Sequence, residues 1–246
     1  MRLENKIAII TGAASGFGEG MARRFAAEGA KVVVADLNEA SGNTIAEEIG
    51  GIFVKTDVSR DSEMANLVQT TVQTFGAVDI FVNNAGYTSR NSPMLDVDEE
   101  TFDRIYAVNV KAVYLSARHV IPEFRKKGRG MILNIASTGG VRPRPGLVWY
   151  NSSKGAVISL TRSMAIELAP EKIRVCAINP VAGETGMLPL FMGEETEEKY
   201  ELFRSSIPLG RLSTPKDIAN TALFLCSDEA DFITGVCMEV DGGRCI

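Results

Sequence analysis

The sequence predicts an α/β protein in which helices cover both faces of one doubly wound, parallel, seven-stranded sheet. Seven short and mostly apolar segments alternate, over all 246 residues, with segments in which apolar residues recur every three or four positions. Near-continuous apolar strands are typical of a sheet buried on both faces, and strict alternation of strand and helix indicates parallel, right-handed crossovers. The predicted strands are residues 7–10, 31–35, 52–56, 80–82, 131–136, 174–178 and 236–240.

The segments between the strands carry the apolar stripes of surface helices. The two clearest stripes comprise Met64, Leu67, Val68, Thr71, Val72 and Phe75, and Ile158, Leu160, Thr161, Met164 and Leu168. This spacing places apolar residues on one helix face, which packs against the sheet. Longer helical segments are predicted at residues 103–127 and 150–169.

One domain, spanning residues 1–246, accounts for the whole pattern, because no repeat, low-complexity tract or flexible linker divides the chain. A chain of this length commonly folds as a single α/β domain. The main irregularity is residues 183–209, a polar stretch with several glycines and prolines that contains the acidic run 194–198. That run is either a solvated helix face or part of a mobile lid over a substrate pocket, because ligands bind beyond the carboxyl ends of such strands.

Composition excludes several classes of function. The net charge of −5 and the isoelectric point near 5.2 argue against a nucleic-acid partner. No apolar run reaches the about 18 residues of a membrane span, and the start does not resemble a secretory signal, so we expect a cytoplasmic protein. The four cysteines form no C-x-x-C pair and His119 is the only histidine, so we expect neither a metal site nor a Ser-His-Asp triad.

A glycine-rich turn follows the first strand and precedes the first helix. Its glycines are Gly12, Gly16 and Gly18, and Ser15 and Phe17 stand beside them. Glycines in such a turn let backbone N–H groups approach a diphosphate at the helix N-terminus, where the helix dipole favours an anion. A purely structural turn is the alternative, but the position between strand and helix favours a dinucleotide site.

The choice between NAD and NADP depends on the end of the second strand. Asp36 stands there and Leu37 follows it. A carboxylate at this position accepts hydrogen bonds from the adenosine ribose hydroxyls and repels a 2′-phosphate. The glycine-rich loop contains no Arg or Lys, so the sequence predicts NAD rather than NADP. The alternative for Asp36 is a helix-capping role near Asn38.

Tyr150 stands thirteen residues after Ser137, and Lys154 follows Tyr150 by four residues. On a helix they share one face, so the lysine cation would lower the tyrosine pKa from its usual value of about 10. Ser137 is a candidate hydrogen-bond donor to a substrate oxygen, with local capping as its alternative role. A dinucleotide loop and an activated tyrosine together predict hydride transfer coupled to proton transfer.

These motifs resemble those of the short-chain dehydrogenase/reductase family, and the resemblance covers nearly the whole chain. The matching segments are residues 11–18, 83–86, 109, 137, 150–154 and 179–185. The resemblance implies a single-domain Rossmann fold that binds a nicotinamide dinucleotide. It also implies further cofactor contacts from Asp57, Val58, Asn83, Ala85, Gly86, Pro180, Val181 and Thr185.

By the same resemblance, the protein interconverts an alcohol and its carbonyl compound. Tyr150 would exchange a proton with the substrate oxygen that Ser137 binds, Lys154 would bind the nicotinamide ribose, and Asn109 would hold a water between Lys154 and solvent. The family also implies a homotetramer in which helices 103–127 and 150–169 form contacts. Two alternatives stay open: a 3-oxoacyl-[acyl-carrier-protein] reductase that uses NADPH, and a non-catalytic NAD-binding sensor or scaffold.

The segment between Ser137 and Tyr150 carries Arg142 and Arg144 among prolines. A guanidinium binds a carboxylate or sulfonate through two parallel hydrogen bonds. Residues 136–154, 183–185 and 241–244 resemble those of aryl-carbinol dehydrogenases in the family, and sugar dehydrogenases are also similar. We therefore expect a small-molecule substrate that is an anionic aryl or secondary alcohol. The alternative is that both arginines are exposed or lie in a subunit interface.

Overall fold

Helices and strands alternate along the whole chain in the computed structural model, which describes residues 1–246. The strands β1–β7 are Ile7–Thr11, Lys31–Asp36, Ile52–Lys55, Ile80–Asn83, Gly130–Ile135, Ile173–Pro180 and Cys237–Val240. The helices α1–α9 are Gly16–Ala27, Glu39–Glu48, Asp61–Phe75, Glu99–Tyr106, Ala112–Lys127, Val148–Leu168, Leu188–Met192, Glu197–Ser205 and Pro215–Cys226. None of these helices is both long and apolar enough to cross a membrane.

All seven strands pair in parallel in one sheet of order β3-β2-β1-β4-β5-β6-β7. The predicted fold class and all seven predicted strands are therefore confirmed. The last two strands differ from prediction in length. β6 begins at Ile173 and continues to Pro180, because it pairs with β5 along its first six residues and with β7 along its last four.

Apolar layers cover both faces of the sheet. One buried cluster packs α1, α2 and α9 against residues such as Ile10 and Val34, and the other packs α3, α5 and α6 against residues such as Ile9 and Val33. Neighbouring residues of one strand thus belong to opposite cores, as the alternation of side chains along a strand requires. This explains why the strands are apolar throughout instead of alternating with polar residues.

The helix predicted at residues 103–127 is interrupted. α4 ends at Tyr106, a π-helical turn spans Ala107–Lys111, and α5 continues to Lys127. A π-helical turn inside a helix frequently marks a functional position. Here the turn contains Asn109, which is 3% exposed.

Two short helices, α7 and α8, occupy the irregular segment 183–209. Only the second half of the acidic run lies in a helix, since α8 begins at Glu197 with Thr196 as its N-cap. Apolar side chains of this segment, among them Leu188, Met192 and Phe203, form a small buried cluster with Val181 and Leu212. The segment therefore packs on the rest of the protein at the carboxyl end of β6.

Candidate active site

The carboxyl ends of the central strands open into one cavity of about 420 Å³. Its walls come from the loops after β1, β2, β4, β5 and β6, together with α6 and the 183–209 segment. The strand order reverses between β1 and β4, and ligands of doubly wound sheets bind in the crevice at such a point. The topology thus brings the motifs of the sequence analysis together at the edge of the sheet where the strands end.

Backbone atoms form the floor of the cavity where the glycine-rich loop lies. A Cβ atom on Gly18 would lie 2.0 Å from the carbonyl oxygen of Gly12, and one on Gly12 would lie 2.8 Å from Cα of Ala85. Gly12 also has a φ of +62°, which favours glycine. Asn84 holds the loop in place, because its Nδ2 donates to the carbonyls of Thr11 at 2.8 Å and Gly12 at 3.0 Å.

The N-terminus of α1 faces the cavity with its first-turn N–H groups free of side-chain caps. Ser15 is the N-cap residue, but its side chain makes no capping hydrogen bond. Ser15, Gly16 and Phe17 line the cavity, and a Cβ on Gly16 would lie 3.2 Å from Thr185. Free N–H groups at a helix N-terminus, with no side chain above them, fit the diphosphate of a dinucleotide.

Asp36 lies at the cavity wall beside Leu37. Its carboxylate accepts backbone hydrogen bonds from Ala14 at 2.9 Å and from Asn38 at 2.9 Å. The cap of α2, however, is the Asn38 side chain, which accepts from Ser41. Asp36 thus braces the glycine-rich loop instead of capping the helix, and each carboxylate oxygen retains a lone pair for a further donor.

Most of the other predicted cofactor residues line the same cavity. They are Asp57, Val58, Ala85, Gly86, Pro180, Val181 and Thr185. Asn83 does not, because its Nδ2 donates to Oδ1 of Asn134 in the interior of the sheet at 2.9 Å. The prediction placed Asn83 at the wall, and the next residue, Asn84, takes that place.

Ser137, Tyr150 and Lys154 line the cavity where β5 ends and α6 begins, and they form its candidate catalytic centre. The Ser137 Oγ accepts a hydrogen bond from the backbone N–H of Gly139 at 2.9 Å, so it also caps the turn that follows. Lys154 lies one helical turn after Tyr150, and its Nζ is 5.7 Å from the centre of the phenol ring. That Nζ donates to the carbonyl of Ile135 at 2.8 Å.

The ionisation of Tyr150 and Lys154 differs from the expectation. Burial raises the pKa of Tyr150 to about 12, and a hydrogen bond with Ser137 acts in the opposite direction. Burial lowers the pKa of Lys154 to about 8. The predicted lysine-lowered tyrosine pKa is wrong for this structure, because both side chains lose the hydration that stabilises their charged forms and the ammonium hydrogen-bonds the Ile135 carbonyl.

Asn109 reaches this centre from the π-helical turn. Its Oδ1 accepts from the N–H of Tyr87 at 2.8 Å, and its Nδ2 donates to the Tyr87 carbonyl and to Oγ of Ser153, both at 2.9 Å. A Cβ on Gly86 would lie 3.6 Å from Oδ1 of Asn109 and 3.7 Å from Nζ of Lys154. Asn109 and Lys154 therefore flank the same glycine, although no direct hydrogen bond joins them.

The two predicted substrate arginines line the cavity but differ in their contacts. Arg142 is exposed, and its Nη1 donates to the main-chain oxygens of Arg244 at 2.6 Å and Ile246 at 3.1 Å. Arg144 is half-buried, donates to Oγ of Ser206 at 2.7 Å and stacks 4.4 Å above the ring of Phe203. Neither arginine forms an ion pair with an Asp or Glu side chain.

Sequence reasoning missed the apolar part of the cavity wall. The missed residues are the apolar and aromatic side chains of Tyr87, Leu147, Met187, Phe191 and Phe203, together with the cationic side chain of Arg104. Phe191 packs on Tyr150 with ring centres 5.1 Å apart. These residues lie in loops and short helices that contain no sequence motif. Their nearness in sequence to the predicted site residues was the only indication that they line the cavity.

Comparisons with known proteins agree with this geometry. A family model described as enoyl-(acyl carrier protein) reductase matches residues 12–244. The chain is 48% identical to 4-formylbenzenesulfonate dehydrogenase of Comamonas testosteroni, over 99% of both chains. It is 38% identical to a 3-oxoacyl-[acyl-carrier-protein] reductase of Thermotoga maritima, over 100% of both chains.

A solved structure is also similar throughout. It is a 3-ketoacyl-(acyl-carrier-protein) reductase of Brucella melitensis in complex with NADH, with a TM-score of 0.95 and 51% identity over 99% of this chain and 100% of that one. The chain therefore belongs to the short-chain dehydrogenase/reductase family, whose enzymes interconvert CH–OH groups and carbonyls with a nicotinamide cofactor.

Proposed function

We propose that the protein is an NAD-dependent dehydrogenase that interconverts an aryl alcohol bearing a sulfonate or carboxylate and the corresponding aldehyde. One observation carries the proposal. The cavity that holds Ser137, Tyr150 and Lys154 also contains Arg142 and Arg144, and neither arginine is paired with an acidic side chain. The similarity to a dehydrogenase named for a sulfonated benzaldehyde supports it.

The protein's own groups supply the proton chemistry, while the bound dinucleotide supplies or accepts the hydride. With a pKa raised to about 12, Tyr150 is a phenol at neutral pH and can donate its proton to a carbonyl oxygen. Alcohol oxidation needs the phenolate, which a hydrogen bond with Ser137 favours. In this proposal Ser137 donates a hydrogen bond to the same substrate oxygen.

The choice of NAD rests on Asp36 and Leu37. The carboxylate lies at the cavity wall and is fixed by two backbone N–H groups, so it would accept from ribose hydroxyls and repel a 2′-phosphate. Leu37, which is 56% exposed, offers no cation to such a phosphate. Asn109, Val181 and Thr185 remain proposed site residues, with Asn109 as the ligand of a water that leads from Lys154 to solvent.

The part of the cavity that contains Tyr150, Arg144 and the apolar wall, here called the substrate end, fits an aromatic ring that carries an anionic substituent. Leu147, Met187 and Phe191 give the cavity apolar surface, and Phe191 packs on Tyr150. Phe203 lies under the guanidinium of Arg144. A ring buried there leaves its substituent close to a cation in a partly dehydrated site. Charge-assisted hydrogen bonds are stronger than neutral ones in such surroundings.

The experiment is a comparison of 4-formylbenzenesulfonate with benzaldehyde, each with NADH and with NADPH. Since a hydrogen bond to a charged group contributes about 1.5–3 kcal/mol, we expect kcat/KM to favour the sulfonate by about tenfold or more. NADH should be preferred over NADPH. Equal values for the two aldehydes would contradict an anionic substrate, and a preference for NADPH would contradict the role of Asp36.

A reductase acting on a 3-oxoacyl thioester is the second candidate, because the 51% identical structure is described as such an enzyme. It predicts faster turnover of an acetoacetyl thioester with NADPH than of either aldehyde with NADH. The position of Asp36 favours the first candidate. Measuring the three substrates with both cofactors decides between them.

We also propose a homotetramer in the cytoplasm. The apolar side chains of Ile166 on α6 and Phe232 before β7 are 80% and 101% exposed, which suits contacts between copies. The four cysteines are free thiols, as is usual in a reducing compartment. Light scattering at micromolar concentration checks the assembly, and a monomeric mass would contradict it.

A further inference from the structure

The 183–209 segment begins in contact with the glycine-rich loop, where Gly183 meets the ring of Phe17. A Cβ atom on Gly183 would lie 2.4 Å from Cζ and 2.8 Å from Cε1 of that ring. These distances are far shorter than a van der Waals contact, so the ring fills the space that any side chain at position 183 would need. Both residues line the cavity, and their contact therefore lies in its wall.

Space, and not backbone conformation, is what requires glycine at position 183. Gly12 has a positive φ, whereas the φ of Gly183 lies outside the range that favours glycine. The other close atom is Oγ of Ser213, 2.7 Å from the same Cβ position, and a hydroxyl can rotate away. The ring of Phe17 packs against the buried cluster of α1, α2 and α9, which holds it in place.

The backbone on both sides of Gly183 is also held by hydrogen bonds. The N–H of Ser213 donates to the carbonyl of Ala182 at 3.2 Å, and its carbonyl accepts from the N–H of Glu184 at 2.9 Å. Gly183 and Ser213 thereby form an isolated parallel bridge. The start of the 183–209 segment is thus fixed by this bridge and by its packing on Phe17.

The turn that follows Gly183 carries residues of the cavity wall. The N–H of Thr185 donates to the carbonyl of Gly183 at 2.8 Å, and α7 begins three residues later. Thr185 faces the glycine-rich loop, because a Cβ on Gly16 would lie 3.2 Å from its Cγ2. The position of Gly183 therefore determines how far Thr185 lies from the N-terminus of α1.

We propose that Phe17 and Gly183 are a complementary pair that positions Thr185 for the nicotinamide part of the dinucleotide. The ring at position 17 requires glycine at position 183, and a shorter side chain at position 17 makes room for a larger one at 183. Phe17 is thus a positioning residue, which acts on the cofactor through the turn that carries Thr185. This inference rests on the proposed function, in which Thr185 is a cofactor residue.

The test is a cycle of three variants of the full chain: Gly183→Ala, Phe17→Leu and the two combined. NADH affinity is measured by fluorescence titration and Tm by thermal unfolding. In Gly183→Ala the turn must move away from the ring, and bound NADH requires it to return. We therefore expect NADH affinity to fall by about tenfold or more.

Phe17→Leu removes the two ring atoms that face Gly183, since a leucine side chain ends at its Cδ atoms. Alone it leaves a gap without overlap, so NADH affinity should fall less than in Gly183→Ala. The combined variant should bind NADH about threefold or more tightly than Gly183→Ala does. The recovery should stay incomplete, because Oγ of Ser213 remains close to the new methyl group.

Gly42→Ala is the matched control. A Cβ on Gly42 would lie 2.2 Å from Cε2 of the ring of Phe53, so this variant also pushes a methyl group into a phenylalanine ring. Neither residue lines the cavity. We expect Gly42→Ala to lower Tm and to leave NADH affinity at the wild-type value, which separates positioning of the cofactor site from loss of stability.

Three results would overturn the pair: wild-type NADH affinity in Gly183→Ala, a combined variant that binds NADH no better than Gly183→Ala, and a loss of NADH affinity in Gly42→Ala as large as that in Gly183→Ala. If Gly183→Ala does not fold, the combined variant decides the question. It must then fold and bind NADH, and its failure to do so would also overturn the pair.

The pair and the proposed function can fail separately, because the titrations need no substrate and are repeated with NADPH. If the combined variant recovers affinity for either cofactor but the wild type does not reduce 4-formylbenzenesulfonate, the function fails and the pair stands. If the wild type reduces this aldehyde with NADH and the combined variant shows no recovery, the function stands and the pair fails.

Discussion

The cofactor end and the substrate end of the cavity are built in different ways. The cofactor end consists largely of backbone: Gly12 and Gly18 approach so closely that a Cβ on Gly18 would meet the Gly12 carbonyl at 2.0 Å. The substrate end consists of side chains from segments that are distant in sequence, such as Arg144, Phe191 and Phe203. The cofactor end depends on glycines, which have no side chain to block the approach of the backbone. The substrate end depends on side chains that only the folded chain brings together.

Asn91 joins the segments of the substrate end. Its N–H donates to the carbonyl of Leu190 at 2.9 Å, and its Nδ2 donates to the carbonyls of Pro145 at 3.1 Å and Phe191 at 3.2 Å. A Cβ on Gly146, whose φ is +79°, would lie 2.1 Å from Oδ1 of Asn91. The loop after β4, the loop before α6 and helix α7 therefore meet at one amide.

The largest effect is expected at Tyr150, which both ends share. Tyr150→Phe keeps the ring and its contact with Phe191 but removes the hydroxyl that we propose exchanges the proton. We expect kcat to fall by about 10²- to 10⁴-fold while NADH affinity is unchanged. Turnover measurements and a fluorescence titration with NADH check the two expectations.

The pH profile provides a control for this variant. Because burial raises the pKa of Tyr150 to about 12, alcohol oxidation by the wild type should become faster as pH rises and the phenolate fraction grows. Residual oxidation by Tyr150→Phe should lack this rise. A variant with the wild-type rate and profile would show that another group moves the proton.

Gly18→Ala tests the cofactor end alone. Its Cβ would overlap the Gly12 carbonyl and lie 2.6 Å from Nδ2 of Asn84, so the loop would have to move. Overpacking costs about 1–3 kcal/mol, which corresponds to a loss of NADH affinity of about tenfold to 10²-fold. Gly50→Ala is the control for a substitution without steric overlap, because nothing lies within 4 Å of a Cβ there, although φ is +64°. Unchanged NADH affinity in Gly18→Ala would contradict a backbone-built site.

The difference between the two ends explains what the sequence could predict. Gly12, Gly16 and Gly18 follow a strand at a spacing that physical rules interpret, and the apolar strands themselves predicted the sheet. The substrate end has no such pattern: Asn91 stands in an irregular loop, and its partners Pro145 and Phe191 are 54 and 100 residues away. Long-range hydrogen bonds of this kind depend on the folded chain, so the role of Asn91 was not predicted.

The pKa of Tyr150 was mispredicted for a related reason. The four-residue spacing to Lys154 correctly placed both on one face of α6, but it contained no information about their burial. Only 7% of Tyr150 and 4% of Lys154 are exposed, and burial outweighs proximity. Spacing predicts which groups are neighbours, and the surrounding core determines their charge.

The double variant Asp36→Ala with Leu37→Arg tests the specificity of the cofactor end. It removes the carboxylate that we propose binds the adenosine ribose and adds a cation, so the ratio of kcat/KM for NADP over NAD should rise by about tenfold or more. Steady-state assays with both cofactors measure the ratio. Asp36 also accepts from Ala14, so Asp36→Asn, which removes the charge but keeps an acceptor, separates a loop defect from a change in specificity. An unchanged ratio in both variants would assign Asp36 to the loop alone.

The smallest effect is expected at Asn91, and it should be confined to the substrate end. Asn91→Asp keeps the shape but replaces the donating amide with a carboxylate that faces the carbonyls of Pro145 and Phe191. A neutral hydrogen bond contributes about 0.5–1.5 kcal/mol, so we expect KM for the aldehyde to rise by about three- to tenfold. NADH affinity should stay at the wild-type value, because Asn91 makes no hydrogen bond to the glycine-rich loop.

Asn43→Asp is the control. It removes a similar hydrogen bond, from the side-chain amide of Asn43 to the carbonyl of Glu39 on the surface of α2, and should leave KM unchanged. An equal loss of NADH affinity in Asn91→Asp would show that the two ends are not independent, whereas an unchanged KM would show that the three segments hold the substrate without this amide.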